Sequence, residues 1–210
     1  MKTLFVNEMF VSVQGESTWA GVPCFFIRLA GCNLNCSYCD SRFANKYWQC
    51  LKVSEILTQY LHSGVKLCEI TGGEPLLQEN VTFLAMQLLR KNATVLVETN
   101  GSKDISVLPS GVIRIVDVKC PSSGEVGSFL KQNVRNLRKK DEIKFVVSNK
   151  RDFNWAVEFV KKYKLVGKVN AVLFSPVYEI LKARTLAKWL INAEIDARLQ
   201  LQLHKIVGMK

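Results

Sequence analysis

The chain has 210 residues, 48% of them hydrophobic and 22% charged, which suits one globular domain spanning residues 1–210 with a sizeable core. No apolar run approaches membrane-spanning length, no signal segment opens the chain, and an odd count of seven cysteines argues against a disulfide framework, so a reducing cytoplasm is the expected setting. The formal charge of +11 allows an anionic partner, yet the basic residues are dispersed; their densest run, residues 131–144 with Arg135, Arg138, Lys139 and Lys140, reads better as a solvated helix face than as an RNA-binding patch.

In chain order, residues 4–13 predict an N-terminal hairpin piece, and the apolar run 25–29 predicts the first core strand. Ser54 is placed to cap a helix that buries Ile56, Leu57, Tyr60 and Leu61. A second strand covers 67–70. Asn80 is placed to cap a helix with Val81, Leu84, Ala85, Leu88 and Leu89 on one face. Strands follow at 94–98, 112–118 and 142–147, then a helix from Asp152 carrying Phe153, Ala156, Val157 and Val160. A sixth strand at 171–174, a helix carrying Ile180, Ala183, Ala187 and Leu190, and an extra strand at 197–203 complete the chain. Such alternation implies an α/β fold with a parallel sheet, either doubly wound or curled into a barrel, and about 250 residues is usual for an eightfold barrel. The predicted fold is therefore a shortened, open (β/α)6 partial TIM barrel with an N-terminal hairpin extension and a C-terminal extra strand.

The segment Gly31-Cys-Asn-Leu-Asn-Cys-Ser-Tyr-Cys-Asp40 places Cys32, Cys36 and Cys39 in a C-x3-C-x2-C array. Iron–sulfur clusters ordinarily take four thiolates, so three with no fourth nearby leave one iron open for chemistry. Half a zinc knuckle is the alternative, but it needs a fourth ligand at short spacing, and Cys50 and His62 are poorly placed. Cys24, Cys50, Cys68 and Cys120 read as ordinary thiols. The polar motifs fall at strand ends: the cysteine loop after the first core strand, Thr71-Gly-Gly-Glu-Pro75 after the second and Glu98-Thr-Asn-Gly101 after the third. Asp117-Val-Lys-Cys-Pro-Ser-Ser123 ends the fourth and Ser175-Pro176 the sixth. Carboxyl ends of parallel strands form a common mouth where ligands bind. Singly, each motif is as well explained by a turn; their shared placement is not.

The cysteine loop, with Tyr38 before its last cysteine, and Gly72-Gly73-Glu74-Pro75 together resemble the radical S-adenosylmethionine superfamily. The resemblance implies a 4Fe-4S cluster on Cys32, Cys36 and Cys39, with S-adenosylmethionine on the open iron, cleaved by one electron to a 5'-deoxyadenosyl radical. Cofactor contacts are expected from Ser37, Tyr38, Gly72, Gly73, Glu74, Asn100, Lys119, Pro121, Ser122 and Ser175. Glycine permits close backbone approach, Glu74 supports the turn or the cofactor's amine, Tyr38 offers an aromatic wall and Ser122 a hydroxyl. Lys119 and Lys144 are equally well read as lysines whose stems pack in the barrel mouth.

A narrower resemblance, to the 7-carboxy-7-deazaguanine synthase family, rests on Glu8-Met-Phe-Val-Ser-Val-Gln-Gly-Glu-Ser17, Gly21-Val-Pro-Cys-Phe-Phe-Ile-Arg-Leu29, Asp40-Ser41, Asp117-Val-Lys-Cys-Pro-Ser-Ser-Gly124 and Leu201-Gln-Leu-His-Lys-Ile206. It implies the substrate 6-carboxy-5,6,7,8-tetrahydropterin, with hydrogen abstraction from carbon 6, ring contraction, loss of ammonia and regeneration of S-adenosylmethionine, in the pathway to queuosine or archaeosine in tRNA. Val13, Gln14, Gly15 and Glu16 are expected on the pterin edge, Arg28 on the carboxylate, Thr71 beside the cofactor, and His204 with Lys210 closing the pocket. Ser41 stands where the family commonly has a threonine that ligates magnesium, which keeps the oxygen but leaves the strength of the magnesium requirement open. A homodimer, a flavodoxin or ferredoxin as electron donor, and no direct contact with nucleic acid are implied as well. Two rivals share some features: an activase that makes a glycyl radical on a partner protein, and a basic metal-binding module that holds RNA without catalysis.

Overall fold

The computed structural model describes residues 2–210, the side chain of Asn45 excepted. Its first unit is a hairpin in which β1 (Thr3–Val13) pairs antiparallel with β2 (Pro23–Leu29), so the first core strand is also the hairpin's second arm. The other edge of β1 carries β3 (Gln49–Lys52), a short exposed strand that lacks the apolar pattern of a buried one and was not expected from the sequence. From β2 onward every neighbour is parallel: β4 (Leu67–Gly72), β5 (Thr94–Thr99), β6 (Ile113–Asp117), β7 (Glu142–Val147), β8 (Ala171–Pro176) and the two-residue β9 (Arg198–Leu199). The sheet order is β3-β1-β2-β4-β5-β6-β7-β8-β9, an open array with the six expected core strands consecutive at its centre.

The helices are α1 (Val53–Ser63), α2 (Val81–Arg90), α3 (Asn133–Asn136), α4 (Lys150–Tyr163), α5 (Ala183–Ile191) and α6 (Leu203–Ile206). Five of the sequence expectations shift. The N-cap of α1 is Lys52 rather than Ser54, and Leu61 lies exposed on the far side of the helix. The cap of α4 is Asn149, whose side chain accepts from Asp152 N, so Asp152 belongs to the first turn. Ile180 precedes α5 and is exposed, leaving Leu186 as that helix's buried residue. The strand expected at 197–203 is confined to Arg198–Leu199, because the chain turns away into α6.

Strand alternation divides the sheet into two faces. One face packs against the helices in two clusters: Phe25, Ile27, Cys68, Ile70, Val95 and Val97 against α1 and α2, and Val116, Ile143, Phe145, Val172 and Phe174 against α4 and α5. The opposite face holds a smaller apolar layer of Cys24, Phe26, Leu67, Leu96 and Ile115, covered by Trp19. Above that layer the same face turns polar, and there the site lies.

The connections either side of β6 carry no long helix; they consist of short 3-10 turns over Ile105–Val107 and Pro121–Ser123 and the single-turn α3. The space a crossover helix would fill is occupied by Arg114, fully buried on the helix side of β6. Its guanidinium donates to Asp141, Ile105 O and Asn136 O, tying both short connections to one residue. Arg138 also donates to Asp141 and to the carbonyls of Ser110 and Val112. The basic run at 131–144 is thus a solvated surface only in part: Lys131, Arg135 and Lys139 are exposed, but Arg138 is a structural brace and Lys144 points into the site. Removing one partner of a buried, hydrogen-bonded ion pair leaves an uncompensated charge. Arg114→Met is expected to lower the unfolding free energy by about 3–5 kcal/mol in urea titration; an unchanged midpoint would show that the brace carries no stability.

Candidate active site

The carboxyl ends of β2, β4, β5, β6, β7 and β8 meet around one cavity of about 630 Å³. Of the residues singled out in the sequence, it is lined by Val13, Gln14, Gly15, Glu16, Arg28, Cys32, Cys36, Tyr38, Cys39, Ser41, Thr71, Gly72, Gly73, Asn100, Lys119, Ser175, His204 and Lys210. Ser37, Glu74, Pro121 and Ser122 are not among its lining residues, and the contacts of Ser37, Glu74 and Ser122 say why.

At the end of β4, Gly72 has φ 132, and a Cβ there would stand 2.1 Å from Leu29 O. A Cβ on Gly73 would stand 2.0 Å from Gly31 O and 2.9 Å from Cys32 Cβ. The two glycines therefore let the strand end press against the start of the cysteine loop, where Glu74 N donates to Gly31 O at 2.8 Å. Glu74 itself turns into the protein and accepts from Leu76 N, Thr99 Oγ1 and Asn100 N at 3.0, 2.8 and 2.7 Å. Burial pushes its pKa up even though these donors oppose the shift. Glu74 is a clamp between β4 and β5, and a direct contact with a cofactor amine is not what its side chain offers.

The clamp passes on to Asn100, whose Oδ1 accepts from Ser102 N while its Nδ2 donates to Asn33 Oδ1 and lies 3.9 Å from Cys32 Sγ. On the other side of the cysteine loop, Ser37 N donates to Ser123 O and Ser37 Oγ to Ser122 O. The Ser122 hydroxyl accepts from Asn149, and its N–H donates to Asp152, a fully buried carboxylate that also accepts from Ser148 N and Oγ. Ser37 and Ser122 thus fasten the loop to the end of β6 rather than facing the cavity. Tyr38 reaches across and donates to Val146 O at 3.1 Å.

Deeper inside, a chain of charges crosses the cavity. Lys144 of β7 pairs with Glu16 Oε2 at 2.8 Å, with Glu98 of β5, and with Asp117 Oδ2 of β6 at 3.8 Å. Burial would lower its pKa, but these three carboxylates hold it well above the ordinary lysine value. Lys119 shares Asp117 at 2.8 Å and is raised for the same reason. Asp117 Oδ1 is buried with no hydrogen-bond partner among the described residues. Glu16 also accepts from Gln200 and Gln202, and Leu203 N donates to Gly15 O, so the segment after β9 forms a wall of the cavity and carries His204.

Arg28 lies at the outer rim, where its Nε donates to Glu8 at 2.8 Å and its Nη1 approaches Ser41 Oγ at 3.4 Å. Its Nη2 has no hydrogen-bond partner among the described residues, and Ser41 Oγ in turn donates to Asp40 Oδ1. Glu69, Glu98 and Glu8 escaped the sequence analysis as site residues. For Glu69 the signal was there: in Leu67-Cys-Glu-Ile-Thr71 it shares alternation phase with Thr71, which places both on one face.

Three free thiols open on this cavity, Gly72 and Gly73 line it with bare backbone, and the Asp117 oxygen supplies an unused acceptor. Those features fit a cluster with a polar organic cofactor beside it. Residues 26–116, which run from β2 through the cysteine loop and the glycine pair to β6, match the Radical SAM superfamily model. The chain is of the radical S-adenosylmethionine class. Over 96% of its length and 96% of the relative's it is 41% identical to the 7-carboxy-7-deazaguanine synthase of Koribacter versatilis. It is 38% identical to that of Methanospirillum hungatei, covering 97% of this chain and 85% of the other. The chain belongs to the 7-carboxy-7-deazaguanine synthase family. A solved structure of QueE from Escherichia coli superposes with a TM-score of 0.79 over 96% of this chain and 95% of that one, at 23% identity, which shows the shared fold.

Gly73→Ala is expected to cost about 1–3 kcal/mol of stability and to reduce iron content after anaerobic reconstitution, because the new methyl group displaces the Gly31 carbonyl. Iron content equal to that of the parent would show that the close approach is dispensable.

Proposed function

We propose that the chain catalyses the radical ring contraction of 6-carboxy-5,6,7,8-tetrahydropterin to 7-carboxy-7-deazaguanine with loss of ammonia, a step toward 7-deazapurines in tRNA. The observation that carries this reading is one cavity that has three cysteines at its mouth, an arginine at its rim, and carboxylates and glutamines inside. A guanidine-like heterocycle offers N–H donors, for which Glu16 and Glu98 are acceptors; its carboxylate suits the unengaged end of Arg28. Gln202, His204 and Lys205 wall one side of the cavity of about 630 Å³, a size suited to a small molecule, which favours this reading over a glycyl-radical activase.

When bound, the cluster and S-adenosylmethionine would supply the radical chemistry of hydrogen abstraction and return. The residues of the chain bind, orient and exclude water. Cys32, Cys36 and Cys39 would hold the cluster, with Gly72, Gly73, Tyr38, Asn100, Lys119 and Ser175 forming the cofactor's walls and Ser37, Glu74, Pro121 and Ser122 bracing them. Thr71, which donates to Glu98 at 3.2 Å, stands where cofactor and substrate regions meet. Gln14 contributes chiefly by position: its Oε1 accepts from Glu16 N and its Nε2 donates to Glu69, and its own backbone is engaged by Val22 O and Gly21 N, so Gln14 orients Glu16 and Glu69 toward the heterocycle while Val13 and Gly15 line the cavity. His204, pushed below its ordinary pKa by burial, stays neutral and can either donate or accept. Lys210 pairs with Glu8 beside Arg28 and would screen the carboxylate end.

Ser41 Oγ and Asp40 Oδ1 stand 3.1 Å apart at the rim, two oxygens of the hard kind magnesium prefers, with substrate carboxylate and waters to complete its shell. Glu98 and Lys144 meet across the intervening strand β6, which fits a sheet curled into a partial (β/α)6 barrel. A homodimer, a flavodoxin- or ferredoxin-type reductant and a cytoplasmic setting complete the proposal.

Anaerobic reconstitution followed by mass spectrometry of the carboxypterin reaction should show loss of one ammonia; an unchanged substrate peak with a loaded cluster would sink the reading. Cys36→Ala is expected to abolish iron loading and turnover together. Ser41→Ala should remove the response of turnover to added magnesium and Ser41→Thr should keep it; the same magnesium dependence in Ser41→Ala would exclude that ligand.

A further inference from the structure

Glu69 is the deepest carboxyl in the cavity and the one that the reaction outlined above leaves without a role. In the sheet register it lies between Phe26 of β2 and Leu96 of β5, in the row just below Arg28 and Thr71. It is buried, lines the cavity, and forms no ion pair among the described residues. Its Oε2 accepts from Gln14, whose other end is held by Glu16 N, so Gln14 fixes the carboxyl in place. Its Oε1 has no protein partner among the described residues and is not a buried orphan, which directs it to the cavity.

The charged and titratable groups facing Glu69 are Glu16 from the loop after β1, Cys24 and Arg28 from β2, Glu98 from β5 and Lys144 from β7. Lys144 is already shared by three carboxylates and Arg28 is engaged by Glu8. A further negative charge at Glu69 would lie in an apolar row beside two like charges. Burial, then Glu98, push its pKa well above the ordinary carboxylate value, against the opposing pull of Lys144.

We propose that Glu69 is a specificity-determining residue that meets the substrate as a neutral carboxylic acid, its hydroxyl donating to the carbonyl oxygen or an unprotonated ring nitrogen of the heterocycle. Around it the other carboxyls, Glu16 and Glu98, accept hydrogen bonds. One donor set among acceptors reads both halves of a lactam-and-amine edge, and a ring presenting only donors leaves the acid unpaired at a cost. This inference rests on the carboxypterin reading.

The experiment measures binding of 6-carboxy-5,6,7,8-tetrahydropterin by anaerobic calorimetry to cluster-loaded protein without reductant, from about pH 6 to about pH 9, beside steady-state turnover. Glu69→Gln, permanently neutral and still a donor, is expected to bind within about threefold of the parent and to lose the weakening at high pH that the parent shows as Glu69 ionises. Glu69→Ala should raise KM about tenfold or more with a smaller effect on kcat. Because a folded-state pKa above the unfolded one gives stability that is present at low pH and lost as pH rises through it, Glu69→Gln should also melt higher than the parent at about pH 8, with the gap closing near pH 4. A tenfold loss of binding in Glu69→Gln, an alkaline weakening that persists in it, or normal binding by Glu69→Ala each overturns the proposal. Should the variants fail to fold, infrared spectroscopy of the parent decides: a protonated carboxyl stretch that shifts when the carboxypterin binds is expected, and its absence is decisive against. A parent that neither binds nor converts the carboxypterin refutes the functional reading instead.

Discussion

The buried ammonium of Lys144 is the point on which the interior depends. Its three partners come from the loop after β1, from β5 and from β6, so a single side chain of β7 joins four parts of the chain across the polar face. An ammonium in that position is tolerable because three carboxylates surround it, and the carboxylates are tolerable because the ammonium does. Glu16 extends the arrangement to Gln200 and Gln202, so the wall after β9 is anchored in the same set of charges. The +11 of the whole chain does not describe this interior, where cations and carboxylates are closely matched.

A second assembly, mostly of hydrogen bonds, holds the cysteine loop. Glu74 connects the glycine strand end to Asn100, and Asp152 connects α4 to the turn at Ser122 and through it to Ser37. Arg42 donates to the carbonyls of Cys36 and Ser37 from the loop's own far end. Each of these carboxylates accepts two or more backbone or hydroxyl donors, the arrangement that lets a buried carboxyl organise its surroundings. The loop that presents three thiols is therefore positioned from both flanks, and Glu74, Ser122 and Asp152 do so without lining the cavity.

The six core strands were legible in the sequence because each is a short apolar run between breakers, and the cysteine spacing and Gly72-Gly73 were legible because their chemistry is local. What escaped was set by tertiary context. Arg114 reads as one charge within a strand, yet it replaces a helix layer by bonding both connections around β6. Ser54 has the right residue type for a cap, but the chain enters α1 straight from β3 and the helix begins earlier, at Val53. Glu74 and Ser122 carry polar groups suited to a ligand, and only the fold shows that Thr99, Asn100, Asn149 and Asp152 already engage them. Residues 131–144 looked like one basic surface because sequence adjacency hides that Arg138 braces the turns before β6 and β7 while Lys144 enters the cavity.

The wall after β9 meets the loop at 14–16 through glutamine amides on Glu16 and one backbone bond from Leu203 to Gly15, with no strand pairing between them. β9 itself adds only two rungs to the sheet. That seam is held by side chains and one backbone bond, whereas the sheet from β1 to β8 is held by continuous ladders, so the contacts that complete this wall can be lost without breaking a single rung that positions the thiols or the buried lysine.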